Sequence, residues 1–254
     1  MNATMEKIRE YKLIPTFGDS FGTGWNVMFN NFLRLLLVVI VLVILTGPMN
    51  GMKFNFNNDD FKDFVNWHHW NGDWGQIFGI ASLGALAIII GIMAIAYTFL
   101  ALPVVKYGAK MIFVESVRKI KPDFEWLIKG FWTNYLNIIL ANLLVFALVV
   151  IGLFALFVPG IIIACRLAFV PYIVMDKKLD PIESVELSWK LTRGHGWTIF
   201  LMGFVSFFIY IFGLMLVFVG VLAAGIWVKS SFASLYQSVL IEKEKPAEPE
   251  AVAA

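Results

Sequence analysis

Apolar runs about as long as a membrane is thick recur along this chain, and nothing else in it constrains the fold so strongly. A run of about 18 residues or more can cross a hydrocarbon layer of ~30 Å as a helix. Inside such a layer the backbone must satisfy its own hydrogen bonds, which restricts crossing segments to helices and closed barrels. Of the 254 residues, 59% are hydrophobic and 15% charged, against about 25% charged in a soluble domain. So few polar groups could not cover a soluble core. The expected fold is all-α: a polytopic transmembrane helical bundle forming one domain over residues 1–241. The single cysteine, Cys165, excludes an intrachain disulfide. The first apolar run is full span length rather than a short signal-peptide core, so it is expected to stay as an uncleaved anchor.

Six spans are read, at about 29–46, 77–105, 135–157, 161–175, 198–219 and 221–240. Gly47-Pro48 ends the first, because proline cannot continue a helix. Pro103 predicts a kink late in the second. Pro159-Gly160 reads as a tight outer turn between the third and fourth. The stretch 198–240 is too long for one span and is split at Gly220. The alternative, one long span followed by a surface helix, would give five spans and an external tail. Residues 242–254, rich in Glu, Lys, Pro and Ala, are expected to be a disordered cytoplasmic tail.

Charge sets the orientation. Segment 106–133 carries Lys106, Lys110, Arg118, Lys119, Lys121 and Lys129 against Glu115, Asp123 and Glu125. Cytoplasmic loops carry such an excess of basic residues, so both termini are expected in the cytoplasm. Loop 48–76 has Asp59, Asp60, Asp63 and Asp73 against Lys53 and Lys62, with seven interspersed aromatics from Phe54 to Trp74. It reads as an outer loop lying on the headgroups. Asp180-Pro181-Ile182-Glu183 starts a helix, with a capping Asp, proline at the first position and Glu three residues on. Ile182, Val185 and Trp189 share one face of it, which predicts a helix lying on the membrane.

The chain also repeats itself. Pro15, Phe17, Trp25, Asn30, Leu33, Leu36 and Leu37 match Pro122, Phe124, Trp132, Asn137, Leu140, Leu143 and Leu144 at one constant offset. Trp197 follows a glycine at a third such position. The expected layout is three helical hairpins, each preceded by a cytoplasmic interfacial segment, related by an axis along the membrane normal.

The Pro159-Gly160-Ile161 segment, Arg166-Leu167-Ala168, Pro171, Ile182-Glu183-Ser184-Val185 and Ser188-Trp189-Lys190-Leu191-Thr192-Arg193-Gly194 together resemble a broad group of bacterial multi-pass proteins. The group includes YciC-like proteins and the membrane domain fused to some glycerophosphoryl diester phosphodiesterases. The specific likeness covers roughly residues 156–200, and Leu235-Tyr236 is similar to a weaker feature of the group. The long aromatic outer loop departs from it, as does the lack of a soluble catalytic domain. The resemblance implies a bacterial inner-membrane protein of unassigned role, with no catalytic residues to carry over.

Candidate chemistry centres on Arg166, read as lying deep in the fourth span, with Lys229 similarly deep in the sixth. A charge at the bilayer centre costs about 2.5–3.5 kcal/mol on insertion scales and is normally paired or functional. No acid lies within the drawn spans. One reading gives Arg166 an anionic lipid headgroup, with Asn142, Ser206 and Lys229 as candidate partners in the site. The other gives it backbone carbonyls and a structural role.

His68 and His69 beside Asp63 and Asp73 do not make the three or four convergent ligands a metal needs, and His195 lies in the opposite compartment. Ser184, Ser188 and His195 lack a nucleophile elbow. Gly84, Ala87 and Gly91 share a face and predict tight packing of the second span. The basic 106–129 segment is expected to meet an anionic leaflet rather than nucleic acid.

The chain is therefore read as a non-enzymatic, multi-pass membrane protein without cofactor or metal. Membrane lipids are its expected partners, as a homo- or hetero-oligomer or alone. A transporter of an amphipathic or anionic solute is the alternative.

Overall fold

The computed structural model describes residues 13–51, 85–86 and 88–244; of these, the side chains of 48–51, 155, 217 and 218 are left aside. Every regular element among the described residues is helical. Ten helices follow in order: α1 (Phe17–Asn30), α2 (Phe32–Gly51), α3 (Ile88–Val117), α4 (Trp126–Thr133), α5 (Tyr135–Ala155), α6 (Phe157–Arg166), α7 (Val170–Lys177), α8 (Pro181–Leu191), α9 (Gly196–Met215) and α10 (Val217–Glu244). Among the described residues, five stretches are long and apolar enough to cross a membrane, namely α3, α5, α6 with α7, α9 and α10, and α1–α2 adds a sixth as a broken pair. The all-α, polytopic membrane fold expected from the sequence is the one observed.

Two compact units divide the chain, Met1–Leu42 with Pro103–Ala254, and Val43–Leu102. In the smaller unit the Tyr97 hydroxyl donates to the Leu45 carbonyl at 3.1 Å. Helix α3 widens into a π turn over Tyr97–Ala101. Pro103 has no N–H to give and crowds the carbonyl of Phe99, four residues back. A wider turn at that point absorbs the misfit and lets α3 continue instead of ending. Gly91 faces open space, so the tight packing predicted from Gly84, Ala87 and Gly91 is not found at Gly91; the other two lie outside the described residues, as does most of the 48–76 loop with His68 and His69.

The larger unit holds the core. Leu35, Val38, Ile112, Ile138, Ile173, Met202, Ile226 and Tyr236 are among its fully buried side chains. Each long lead helix is entered from a short one: α1 precedes α2, α4 precedes α5 and α8 precedes α9. The threefold layout read from the repeat is present in this order of elements. Helix α1 meets α2 at 97°. Thr16 caps α1, its Oγ1 accepting from the Asp19 N–H at 3.3 Å. Its buried stripe, Ser20, Phe21, Gly24, Val27 and Met28, follows helical spacing and lies against α10. There Trp227 Nε1 donates to the Phe21 carbonyl at 3.0 Å, and Trp25 meets the Trp227 ring edge-on at 4.9 Å.

Helix α8 buries Ser184, Ser188 and Leu191 while Ile182 and Trp189 stay exposed. Helix α10 likewise buries Ser230, Ser231, Ser234, Gln237 and Ser238. Hydroxyls thus share the interior with the apolar core while large apolar side chains also face outward, which suits a helix bundle in an apolar medium. On the outer faces of α5 and α9, Leu136, Phe146, Phe154, Phe207 and Phe212 are all exposed.

Several boundaries differ from the sequence reading. The α5–α6 turn is the single extended residue Leu156 (φ −169°, ψ 149°), not Pro159-Gly160. Pro159 sits in the first turn of α6, where its missing N–H would have had no partner anyway. Gly160 instead allows close approach: a Cβ there would lie 2.7 Å from Leu153 Cγ and 2.8 Å from the Leu153 nitrogen. The fourth span is interrupted at 167–169, because Pro171 cannot follow an unbroken turn that ends on the Leu167 carbonyl. The 198–240 stretch is two helices, as drawn, but it breaks at Leu216 rather than Gly220. Helix α10 runs to Glu244, so residues 242–244 of the expected tail are helical, and the remainder lies outside the described residues.

Candidate anion site

Arg166 is the last residue of α6, the end at which a helix favours a cation. Its carbonyl, freed by the break at 167–169, accepts from Ser188 Oγ at 2.7 Å and from Thr192 Oγ1 at 3.3 Å. Those bonds fasten α6 to the polar helix α8, so Arg166 stands beside α8 and the start of α9 rather than isolated in an apolar span. The guanidinium lies over the Trp189 ring, 5.8 Å from its centroid. Gly196, the first residue of α9, is also close: a Cβ at that glycine would stand 4.0 Å from Arg166 Cζ. Residues 192–195 turn the chain between the two helices, with Gly194 at φ +97°, a left-handed conformation that glycine adopts freely.

Two positive features therefore lie close together. The first N–H groups of α9 have no helical acceptor and carry the positive end of a helix dipole. His195, the residue before α9, makes no side-chain cap; its Nε2 is instead 3.1 Å from a Glu242 oxygen. Arg166 is half-buried, and its Nη1 is fully buried with no hydrogen-bond partner. No acid forms an ion pair with it among the described residues. A guanidinium has five donors in a planar fork suited to phosphate and carboxylate, and here one arm is left without an acceptor.

The other sequence candidates are placed elsewhere. Ser206 is buried on α9 and donates to the Met202 carbonyl at 2.6 Å. Asn142 is half-buried on α5. Lys229, on α10, lies over the Phe113 ring at 6.0 Å and stands within electrostatic range of Lys106 and Lys110. Among the described residues, no hydrogen bond or ring contact joins Arg166 to Asn142, Ser206 or Lys229.

A second polar cluster escaped the sequence reading. Arg118 Nη1 and Nη2 donate to the two Asp176 oxygens at 2.7 and 2.6 Å. Arg118 Nε donates to Gln237 Oε1 at 2.8 Å, and the Tyr236 hydroxyl donates to Asp176 Oδ2 at 3.0 Å. Burial opposes the Arg118 charge, but the Asp176 carboxylate outweighs it and holds the guanidinium pKa above its ordinary value. Tyr236 is fully buried and stacked on Tyr172, centroids 5.1 Å apart. The cluster ties the end of α3 to α7 and α10. Nearby, Trp126 Nε1 donates to Glu115 Oε1 at 2.6 Å and seats α4 on α3. Asp180 does not close the expected capping box; its Oδ1 accepts from Asn137 Nδ2 at 3.3 Å and links α8 to α5. All three nitrogens of the Arg118 guanidinium and both Asp176 carboxylate oxygens have partners, which marks the fork as a structural clamp. Arg166 differs in having an arm to spare.

A groove lined by Trp126, Lys129, Gly130, Thr133, Asn134, Met175 and Lys178 encloses only about 10 Å³, far below the ~300–1,000 Å³ usual for small-molecule sites.

Compared with known proteins, the chain matches no family model, no curated protein and no solved structure.

Proposed function

We propose that this is a non-enzymatic, multi-pass protein of a bacterial inner membrane that holds the headgroup of an anionic lipid at Arg166. Its termini lie on the cytoplasmic side, in keeping with the basic excess of 106–133. The observation that carries the reading is the buried, partnerless Nη1 of Arg166, on a guanidinium that lies over the Trp189 ring and close to the first residue of α9. A lipid phosphate is the natural occupant. It would accept from the spare guanidinium arm and from the first N–H groups of α9, while its chains lie along the apolar outer face, where Trp189 and Trp197 are exposed. Aromatic residues at headgroup level fit such a position. In this reading the chain is a relative of the YciC-like group that residues 156–200 resemble.

Native mass spectrometry of gently extracted protein tests it. Wild type is expected to keep a phosphatidylglycerol or comparable anionic lipid that Arg166→Ala loses by tenfold or more, with helix content and elution unchanged. Equal lipid retention by a folded Arg166→Ala protein would remove the headgroup site.

A further inference from the structure

We infer that Lys106, Lys110 and Lys229 form a second site, one that binds a phosphate-bearing anion between α3 and α10. It shares no residue with the Arg166 site and does not depend on that reading.

Positions 106, 110 and 113 fall at i, i+4 and i+7 of α3, so two lysines and Phe113 share one face of the helix. Helix α10 brings a third lysine to it: the Lys229 ammonium lies over the Phe113 ring, 6.0 Å from the centroid. Helix α7 closes the other side, with Tyr172 presenting its ring to the Lys110 ammonium at 5.2 Å. All three lysines repel one another electrostatically, Lys110 with both Lys229 and Lys106, and Lys229 with Lys106. Lys110 and Lys229 are half-buried and Lys106 is exposed, so the cluster has an inner pair and an outer rim.

Long lysines ordinarily run out to water along apolar surface. Here the two inner ammoniums end on aromatic rings inside the larger unit instead. Ring faces attract a cation but leave its charge uncompensated. None of the three makes an ion pair with an acid among the described residues. Two acids on the helices that carry the cluster are otherwise engaged: Glu115 of α3 holds Trp126, and Asp176 of α7 holds Arg118 and Tyr236. The next residue on α10, Ser230, has a fully buried hydroxyl with no partner.

Like charges one helical turn apart disfavour folding, so three together call for an anion from outside the chain. Phosphate fits better than carboxylate, since converging ammoniums need several acceptor oxygens and lysine serves phosphate as a compact point charge. Basic pockets between membrane helices take lipid headgroups in this way. A lipid phosphate and a free phosphate share that chemistry and are separated by experiment.

The test uses the full chain, delipidated in a non-ionic detergent, with Lys110→Gln/Lys229→Gln, Lys106→Gln and Arg166→Ala beside wild type. Retention of added phosphatidylglycerol is read by native mass spectrometry against phosphatidylcholine. The shift in Tm caused by millimolar inorganic phosphate is read against chloride at equal ionic strength. Bound lipids are counted separately: the double variant is expected to lose at least tenfold in the occupancy of one bound lipid, in the phosphate shift, or in both, and Lys106→Gln about threefold, while Arg166→Ala loses a different bound lipid and keeps this site. Loss of lipid retention alone identifies a headgroup; loss of the phosphate shift identifies a free anion. Without ligand, the double variant should melt no lower than wild type, because its mutual repulsion is gone. A folded double variant matching wild type in both readings overturns the proposal. Should that variant fail to fold, an unchanged Lys106→Gln, whose substitution lies at the exposed rim, overturns it as well.

Discussion

Arg118→Ala is expected to destabilise the protein by about 3–5 kcal/mol, because it leaves the Asp176 carboxylate buried with only the Tyr236 hydroxyl for company. Side-chain exposures of 14% for Arg118 and 11% for Asp176 remove most of the solvent screening that makes surface pairs weak. The fork is bidentate and its third donor is held by Gln237, so no neighbour can replace it without moving. Asp176→Ala should cost a similar amount by stranding the guanidinium. The double variant Arg118→Met/Asp176→Leu should recover most of the loss, since removing both charges also removes the cost of burying them. Denaturant titration in mixed micelles checks all three. A single variant within ~1 kcal/mol of wild type would show that α3, α7 and α10 are held together by something else.

Gly24→Val is expected to loosen α1 from α10, with a loss of about 3 kcal/mol, at the upper end of ordinary overpacking. A Cβ at Gly24 would stand 2.7 Å from the Ser231 backbone nitrogen and 2.8 Å from its Cα. Backbone cannot rotate away as a side-chain tip can, so the helices must part. Parting them also strains the Trp227–Phe21 hydrogen bond and the Trp25–Trp227 ring contact. Gly22→Ala, one residue pair earlier on the same helix, meets nothing within 4 Å and should be neutral or slightly stabilising, because alanine favours helix over glycine by about 1 kcal/mol. Hydrogen exchange along α1, read beside Tm, separates the two: only Gly24→Val should lose protection there.

The spans were legible because apolar length and composition alone decide what a membrane can hold. The short helices before α2 and α5 were legible because proline, tryptophan and asparagine recur at matching places, and the one before α9 because Asp180-Pro181-Ile182-Glu183 reads as a helix start. Finer boundaries were not. Pro159-Gly160 carries the usual chemistry of a turn, yet proline is equally at home in the first turn of a helix, and only the packing of Gly160 on Leu153 decides between them. Pro171 and Pro103 both displace a carbonyl four residues back, but one break is a turn and the other a π widening, a choice made by neighbours rather than by sequence. At the candidate site, Arg166 was visible as a lone charge in an apolar run. Its seat close to Trp189 and Gly196 was not, since that depends on a helix break that hands its carbonyl to Ser188 and Thr192. Arg118 read as one basic residue among six in its segment; Asp176, 58 residues on, gave no sign of being its partner. Lys229 was grouped with Arg166 by estimated depth, whereas the helices bring it to Lys106 and Lys110.

Contact between Arg166 and a lipid phosphate is read by nitrogen–phosphorus dipolar dephasing in solid-state NMR, on protein with ¹⁵N in its arginine side chains, reconstituted in phosphatidylglycerol-containing bilayers. Comparing wild type with Arg166→Lys isolates one guanidinium. Strong dephasing from lipid ³¹P is expected in wild type and should be lost in Arg166→Lys. A wild-type signal no more dephased than the variant's would contradict it, and Arg166 would then be a residue that only fastens α6 to α8.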